Sequence, residues 1–143
     1  MDTLSPEKRS WNMSLIRGKN TKPELAVRSM LHRLGYRFRI ADKKLPGKPD
    51  IVLPKYRAVV FVHGCFWHRH PGCKYAYIPK TRCEFWNLKF EANVLRDETN
   101  LALLKKAGWL PIVVWECEIK LDAIATLGRV SKVLQRHLKK LSV

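Results

Sequence analysis

Acidic residues are scarce in this 143-residue chain: twelve Asp and Glu face twenty-eight Lys and Arg, leaving a net charge of +16. That imbalance points to a polyanion partner, because each neutralised phosphate releases condensed counterions; a ribosomal-type protein and a membrane-surface binder are the alternatives on charge alone. The N-terminus, Met1-Asp2-Thr3-Leu4-Ser5-Pro6-Glu7-Lys8, lacks the apolar core of a signal segment. The longest apolar runs are strand-sized, so no membrane-spanning helix is expected, and no membrane partner is called for. Internal repeats, low-complexity tracts and domain linkers are also absent. Cysteine is limited to four residues, enough for two disulfides on arithmetic alone, but the chain is long enough for an ordinary hydrophobic core without such staples. With His interleaved among those Cys, a cytoplasmic metal-binding chain is a better reading than two disulfides.

What is present reads as alternating helices and strands. Ser5-Pro6-Glu7 opens a short basic helix that Gly18 ends. Thr21-x-x-Glu24 has capping-box spacing ahead of a second helix, with Leu25, Met30, Leu31 and Leu34 as its apolar stripe and Gly35 after it. Strands are expected at 36–40, 51–53, 58–62 and 109–115, the run Ala58 to Val62 being apolar enough for a central strand. A long helix is expected from Glu84 to Ala107, and a final amphipathic helix capped by Asp122. The order αα-βββ-α-β-α implies an α/β (α+β) fold with one mixed sheet and helices on its faces. Residues 1–20 form a basic arm and residues 21–143 the main domain.

Two constellations carry chemistry. Cys65-x4-His70-x2-Cys73 places three soft or borderline donors within nine residues, suiting one end of a tetrahedral zinc site. The fourth ligand is Cys117 or Cys83; Cys117, just past the last strand, is preferred because strand ends can converge on one loop. Such a closed site would be structural. On the long helix, Trp86, Phe90, Val94, Asp97, Leu101 and Leu104 fall on one face, and Asp97 is its single charge. A carboxylate there is either paired with a core arginine or functional, since burying it alone costs several kcal/mol.

Restriction-type nucleases place a carboxylate at a strand start and a further ligand or a lysine on the next strand. Pro49-Asp50 supplies the first, and Phe61-Val62-His63 fills the slot of the second. The run Val62-His63-Gly64-Cys65-Phe66-Trp67-His68 then makes the resemblance specific. With Leu45-Pro46-Gly47-Lys48-Pro49-Asp50, Thr81-Arg82-Cys83-Glu84-Phe85-Trp86, Asn93-Val94, Arg96-Asp97 and Val113-Val114-Trp115-Glu116-Cys117, it resembles the very short patch repair (Vsr) mismatch endonucleases from about Arg9 to Cys117. The resemblance implies a restriction-endonuclease-like core around the zinc site. It also implies a Mg²⁺-dependent enzyme that nicks one strand of double-stranded DNA beside the thymine of a T:G mismatch.

Roles follow from the same resemblance. Asp50 binds Mg²⁺, His68 serves as general base or positions the attacking water, and His63 contacts the phosphate or the hydration shell of the metal. Asp97 orients His68, and Glu24 is an acid near the site, although its capping-box spacing explains it equally well. Val62 departs from the threonine frequent in the family. Valine is harmless if that position lends its carbonyl to Mg²⁺, and a handicap if the hydroxyl matters. Phe66, Trp67 and Trp86 wedge between base pairs from the major groove, while Met13 enters the minor groove from the basic arm. Lys8, Arg9, Arg17, Lys19 and Lys22 contact phosphates, and most other Lys and Arg are solvated surface. The family context leaves room for mismatch-repair proteins as partners, and nothing in the chain demands more than a monomer. Competing readings are a restriction-like nuclease with another target, a zinc-bearing module that binds without cutting, and a single-strand binder using aromatic platforms.

Overall fold

The computed structural model describes residues 21–40 and 42–142. The expected N-terminal helix, Met13 and the expected phosphate contacts Lys8, Arg9, Arg17 and Lys19 lie outside the described residues.

Helix α1 spans Lys22–Arg33, starting where Thr21 Oγ1 accepts the Glu24 N–H at 3.4 Å. It ends as Gly35 turns left-handed at φ +93° and Tyr36 N donates to Leu31 O. Its inward face is Glu24, Val27 and Leu31, so of the expected stripe Leu31 is buried and Met30 packs against the core, while Leu25 and Leu34 are 50% and 56% exposed. A buried charge at the start of the face explains the error, because an apolar count passes over Glu24 and rotates the stripe toward its neighbour.

Strand β1 (Arg39–Ile40) is shorter than expected, and β2 (Ile51–Leu53) and β3 (Ala58–His63) follow, joined by a 3₁₀ turn at Pro54–Tyr56. Tyr36 leaves the strand to enter the core, its hydroxyl 2.6 Å from Ser131 Oγ. Helix α2 (Cys83–Lys106) carries the chain back to β4 (Leu110–Trp115), and α3 (Glu116–Leu141) closes it. The last helix therefore begins directly after β4. Asp122 breaks it with φ −159° and caps the second segment, its Oδ1 accepting from Ala125 N at 3.0 Å.

The sheet order is β1-β2-β3-β4, antiparallel except for the parallel β3–β4 pair. Alternation along the strands divides two cores. Ile51, Leu53, Ala58, Val60, Ile112 and Val114 pack with Val27 and Leu31 of α1 and Leu127, Val130 and Leu134 of α3. Val52, Val59 and Phe61 pack with Leu104 of α2, joined by Leu45, Leu101, Trp109 and Val113. The apolar run 58–62 is thus covered on both faces, the reason it shows no polar alternation. The result is a four-stranded mixed sheet of α+β class with helices on each side, and β3 aims its C-terminal end at the segment dense in Cys and His.

Candidate functional site

The parallel β3–β4 register pairs His63 with Trp115. Two residues further along each strand's direction stand Cys65 and Cys117, so the pairing itself brings them together. Between them the chain folds back through successive turns, with His70 N donating to Cys65 O at 3.0 Å and Cys73 N to His70 O at 3.3 Å. Pro71-Gly72 forms the corner, and Gly72 at φ +70° gives the left-handed residue that such a turn requires. Donor atoms of Cys65, His70, Cys73 and Cys117 all lie within 4.8 Å of one another. Cys117 Sγ is 3.3 Å from His70 Nδ1, and the His70 ring stacks on Trp115 at 4.2 Å. Cys83 stands apart, exposed, its thiol donating to Pro79 O at 3.2 Å.

The thiols are at odds with one another. Burial pushes the Cys65 thiol up to about 12, and burial likewise raises Cys117. Backbone N–H donation at Tyr75 lowers Cys73. A divalent cation would resolve this crowding by stabilising the thiolates, and one imidazole with three thiolates in a tight group suits tetrahedral zinc. Arg69, at φ +55°, holds the same segment. Its guanidinium donates to Phe66 O, Ala76 O and Tyr77 O at 3.2, 2.8 and 3.0 Å and lies 3.9 Å over the Phe90 ring. Nothing in the sequence spacing marks this clamp.

A second cluster faces a cavity of about 130 Å³ lined by Gly47, Lys48, Asp50, Phe61, Val62, His63, His68, Asp97, Asn100 and Leu101. Asp97 reaches in from α2, where its Oδ2 lies 2.7 Å from His68 Nδ1. The partner of the single charge on that helical face is thus a histidine rather than an arginine. His63 stacks on His68 with ring centres 3.9 Å apart and planes within 6°. Burial lowers the pKa of His63 to about 4, and its Nδ1 has no hydrogen-bond partner among the described residues. One face of His68 is therefore packed, one nitrogen is engaged, and the other nitrogen remains for chemistry.

Asp50 stands across the cavity, its Oδ2 accepting the Val62 N–H at 2.7 Å. Burial first, and then the adjacent Glu24 carboxyl, raise its pKa from 3.8 to about 7 against the lowering by that hydrogen bond. Glu24 is 2% exposed and also receives Arg28 Nη2 at 3.2 Å. Its backbone serves the helix cap while its carboxyl turns to Asp50. Paired, dehydrated carboxyls are a hard oxygen set, and a divalent cation of the Mg²⁺ type would offset their repulsion. The Val62 side chain packs against the larger core, and its N–H serves Asp50.

Phe66, Trp67 and Trp86 form one half-buried aromatic cluster, with ring centres 5.1 Å (Phe66–Trp67), 5.9 Å (Phe66–Trp86) and 5.7 Å (Trp67–Trp86) apart. Phe90 backs it at 5.2 Å from Phe66, and Asn93 Nδ2 donates to Trp67 O at 3.4 Å. The wedge candidates are thus braced against α2 and joined through one short loop to both constellations.

Comparison with known proteins gives a consistent picture. A family model described as DNA mismatch endonuclease Vsr matches residues 1–74. The chain is 52% identical over 133 residues to the type II nicking enzyme V.XorIIP of Xanthomonas oryzae pv. oryzae, covering 93% of this chain and 96% of that protein. It is 50% identical over 123 residues to the type II nicking enzyme V.NmeAIP of Neisseria meningitidis, covering 86% and 87%. With the DNA mismatch endonuclease Vsr of Escherichia coli it shares 44% identity over 112 residues, covering 78% of this chain and 71% of that one.

Proposed function

This chain belongs to the Vsr family of DNA mismatch endonucleases, and from that membership we propose that it is a Mg²⁺-dependent enzyme nicking one strand beside the thymine of a T:G mismatch. The observation that carries this reading is the 2.7 Å Asp97–His68 pair facing Asp50 across one small cavity. A module that only binds DNA has no use for an oriented histidine opposite a dehydrated carboxyl. The mixed sheet with helices on each face is consistent with a restriction-endonuclease-like core. Among the described residues no helix is long and apolar enough to cross a membrane.

Each residue has a task set by where it stands. Asp97 accepts the proton of His68 Nδ1, which leaves His68 Nε2 as the acceptor for a proton from the attacking water. His63, held parallel beneath, fixes that ring and presents its own edge to the phosphate. Asp50, with Glu24 beside it and the backbone of Val62 across from it, would hold Mg²⁺, which when bound supplies neutralisation of phosphate charge. The products are a 5′-phosphate and a 3′-hydroxyl. Zinc on Cys65, His70, Cys73 and Cys117 would pin the loop that carries His68, Phe66 and Trp67.

Recognition is a matter of energy difference. Phe66, Trp67 and Trp86 would wedge into the duplex from the major groove and Met13 from the minor groove. Unstacking costs a few kcal/mol and costs least at a mismatch, so the wedge selects weak pairs. The +16 charge supplies the non-specific hold. We expect a monomer, suited to an asymmetric target, with mismatch-repair proteins as possible partners in the cell.

The decisive experiment uses labelled duplexes with one T:G pair in varied contexts, beside matched duplex, with and without added Mg²⁺. One Mg²⁺-dependent nick next to the mismatched thymine, absent from matched DNA, is the expected result. Equal cutting of both would replace T:G recognition with a restriction-like specificity, and binding without cutting would leave a zinc-bearing module.

Asp97→Asn gives a narrower test. The amide can present its NH₂ to His68 Nδ1 and favour the wrong tautomer, so the single-turnover rate is expected to fall about 10²-fold or more with duplex affinity retained. An unchanged rate would reduce Asp97 to a structural ion-pair partner.

A further inference from the structure

In restriction-type sites a lysine commonly follows the acid on the neighbouring strand; here that slot on β3 holds His63. The cavity nonetheless has a cation. Of its ten lining residues, Lys48 alone carries an ammonium or guanidinium group, and it enters from the loop before Asp50 rather than from the sheet.

The loop holds this residue in place. Lys48 N donates to Leu45 O at 3.2 Å, closing the turn over Pro46 and Gly47. Gly47 has φ +77°, and a Cβ there would stand 3.0 Å from Asn100 Cβ and 3.2 Å from Phe61 Cε1. The turn is therefore wedged between α2 and β3, with Gly as the residue that lets it approach so closely. Lys48 itself has φ +48°, a left-handed conformation that a long side chain rarely adopts. Pro49 beyond it is buried. Strain of this kind persists where surrounding structure over-determines it, which is common at functional sites. The Lys48 side chain is exposed and makes no hydrogen bond or ion pair among the described residues, although Asp50 and Asp97 line the same cavity.

We propose that Lys48 contacts the scissile phosphate, donating hydrogen bonds to its non-bridging oxygens as charge accumulates in the transition state. It supplies from a preceding turn the cation that the β3 slot does not. No proton or bond is transferred through it; its part is electrostatic, in a cavity whose other ionisable groups are the carboxyls of Asp50 and Asp97 and the imidazoles of His63 and His68. This assignment rests on the nuclease reading above and adds a phosphate-contacting residue to it.

The test compares wild type, Lys48→Asn and Lys48→Arg under single-turnover conditions with enzyme saturating over T:G duplex. Asparagine tolerates the left-handed backbone better than lysine, so this variant removes the charge without adding strain; zinc content and Tm verify its fold. Lys48→Asn is expected to lower the saturating rate about 30- to 100-fold while duplex affinity, measured without Mg²⁺, changes less than about threefold. Lys48→Arg should recover most of the rate. A loss confined to affinity and salt slope would make Lys48 a groove contact and overturn the proposal, and so would a variant that nicks like wild type. If wild type cuts matched duplex as well, the T:G reading fails, yet the same three-way comparison on that duplex still decides Lys48. A wild type that cuts no duplex overturns both.

Discussion

Asp50→Asn is expected to reduce single-turnover nicking at least about 10³-fold while leaving affinity for the mismatched duplex within about threefold. The carboxyl oxygen that accepts the Val62 N–H is held at 2.7 Å, so the amide oxygen of asparagine can keep that bond and the loop need not move. What disappears is the negative charge on which a divalent cation depends. The same substitution should raise Tm in Mg²⁺-free buffer by a few degrees, roughly 2–5 °C, because a dehydrated carboxyl no longer stands against Glu24. The combination is diagnostic. Residues retained for folding lose stability when altered, whereas a residue kept for cation binding would gain it. If Asp50→Asn lowers affinity as much as rate, Asp50 positions DNA rather than cation; if Tm falls instead, its role is structural.

Cys117→Ser should have the largest effect on stability. The four-donor cluster closes a segment from Gly64 to Arg82 that contains neither helix nor strand of its own. Serine is a poor zinc ligand, so bound zinc is expected to fall from one equivalent to a small fraction and Tm to drop by about 10 °C or more. Nicking should be lost as well, because the same loop carries His68. Cys83→Ser is the matched control, since that thiol is exposed and bonds only to nearby carbonyls. It should keep zinc, Tm and rate. Full zinc stoichiometry at unchanged Tm in Cys117→Ser would remove Cys117 from the ligand set.

Much of this arrangement is written in short-range pattern. Ligand types within nine residues, an acid alone on an apolar helical face and an unbroken apolar strand all follow from backbone periodicity, which local sequence dictates. The helix register alone puts Asp97 on the face with Trp86 and Leu104. Where local pattern misled, a buried polar group was the cause. Glu24 took a place that the expected stripe of α1 gave to Leu25, and Tyr36 left its strand for a hydrogen bond to Ser131, a partner 95 residues away.

The sequence by itself determined which residues could ligate metal, which could move a proton, and the order of the elements that carry them. Tertiary structure alone decided their meetings. Parallel pairing of His63 with Trp115 placed Cys117 beside Cys65. Packing of α1 against the sheet turned Glu24 onto Asp50. A Gly47 turn wedged under α2 fixed Lys48 at the cavity. Such contacts join segments far apart in the chain, and no periodicity of helix or strand encodes them; they arise only when the sheet's strand order and its side-chain packing are set together.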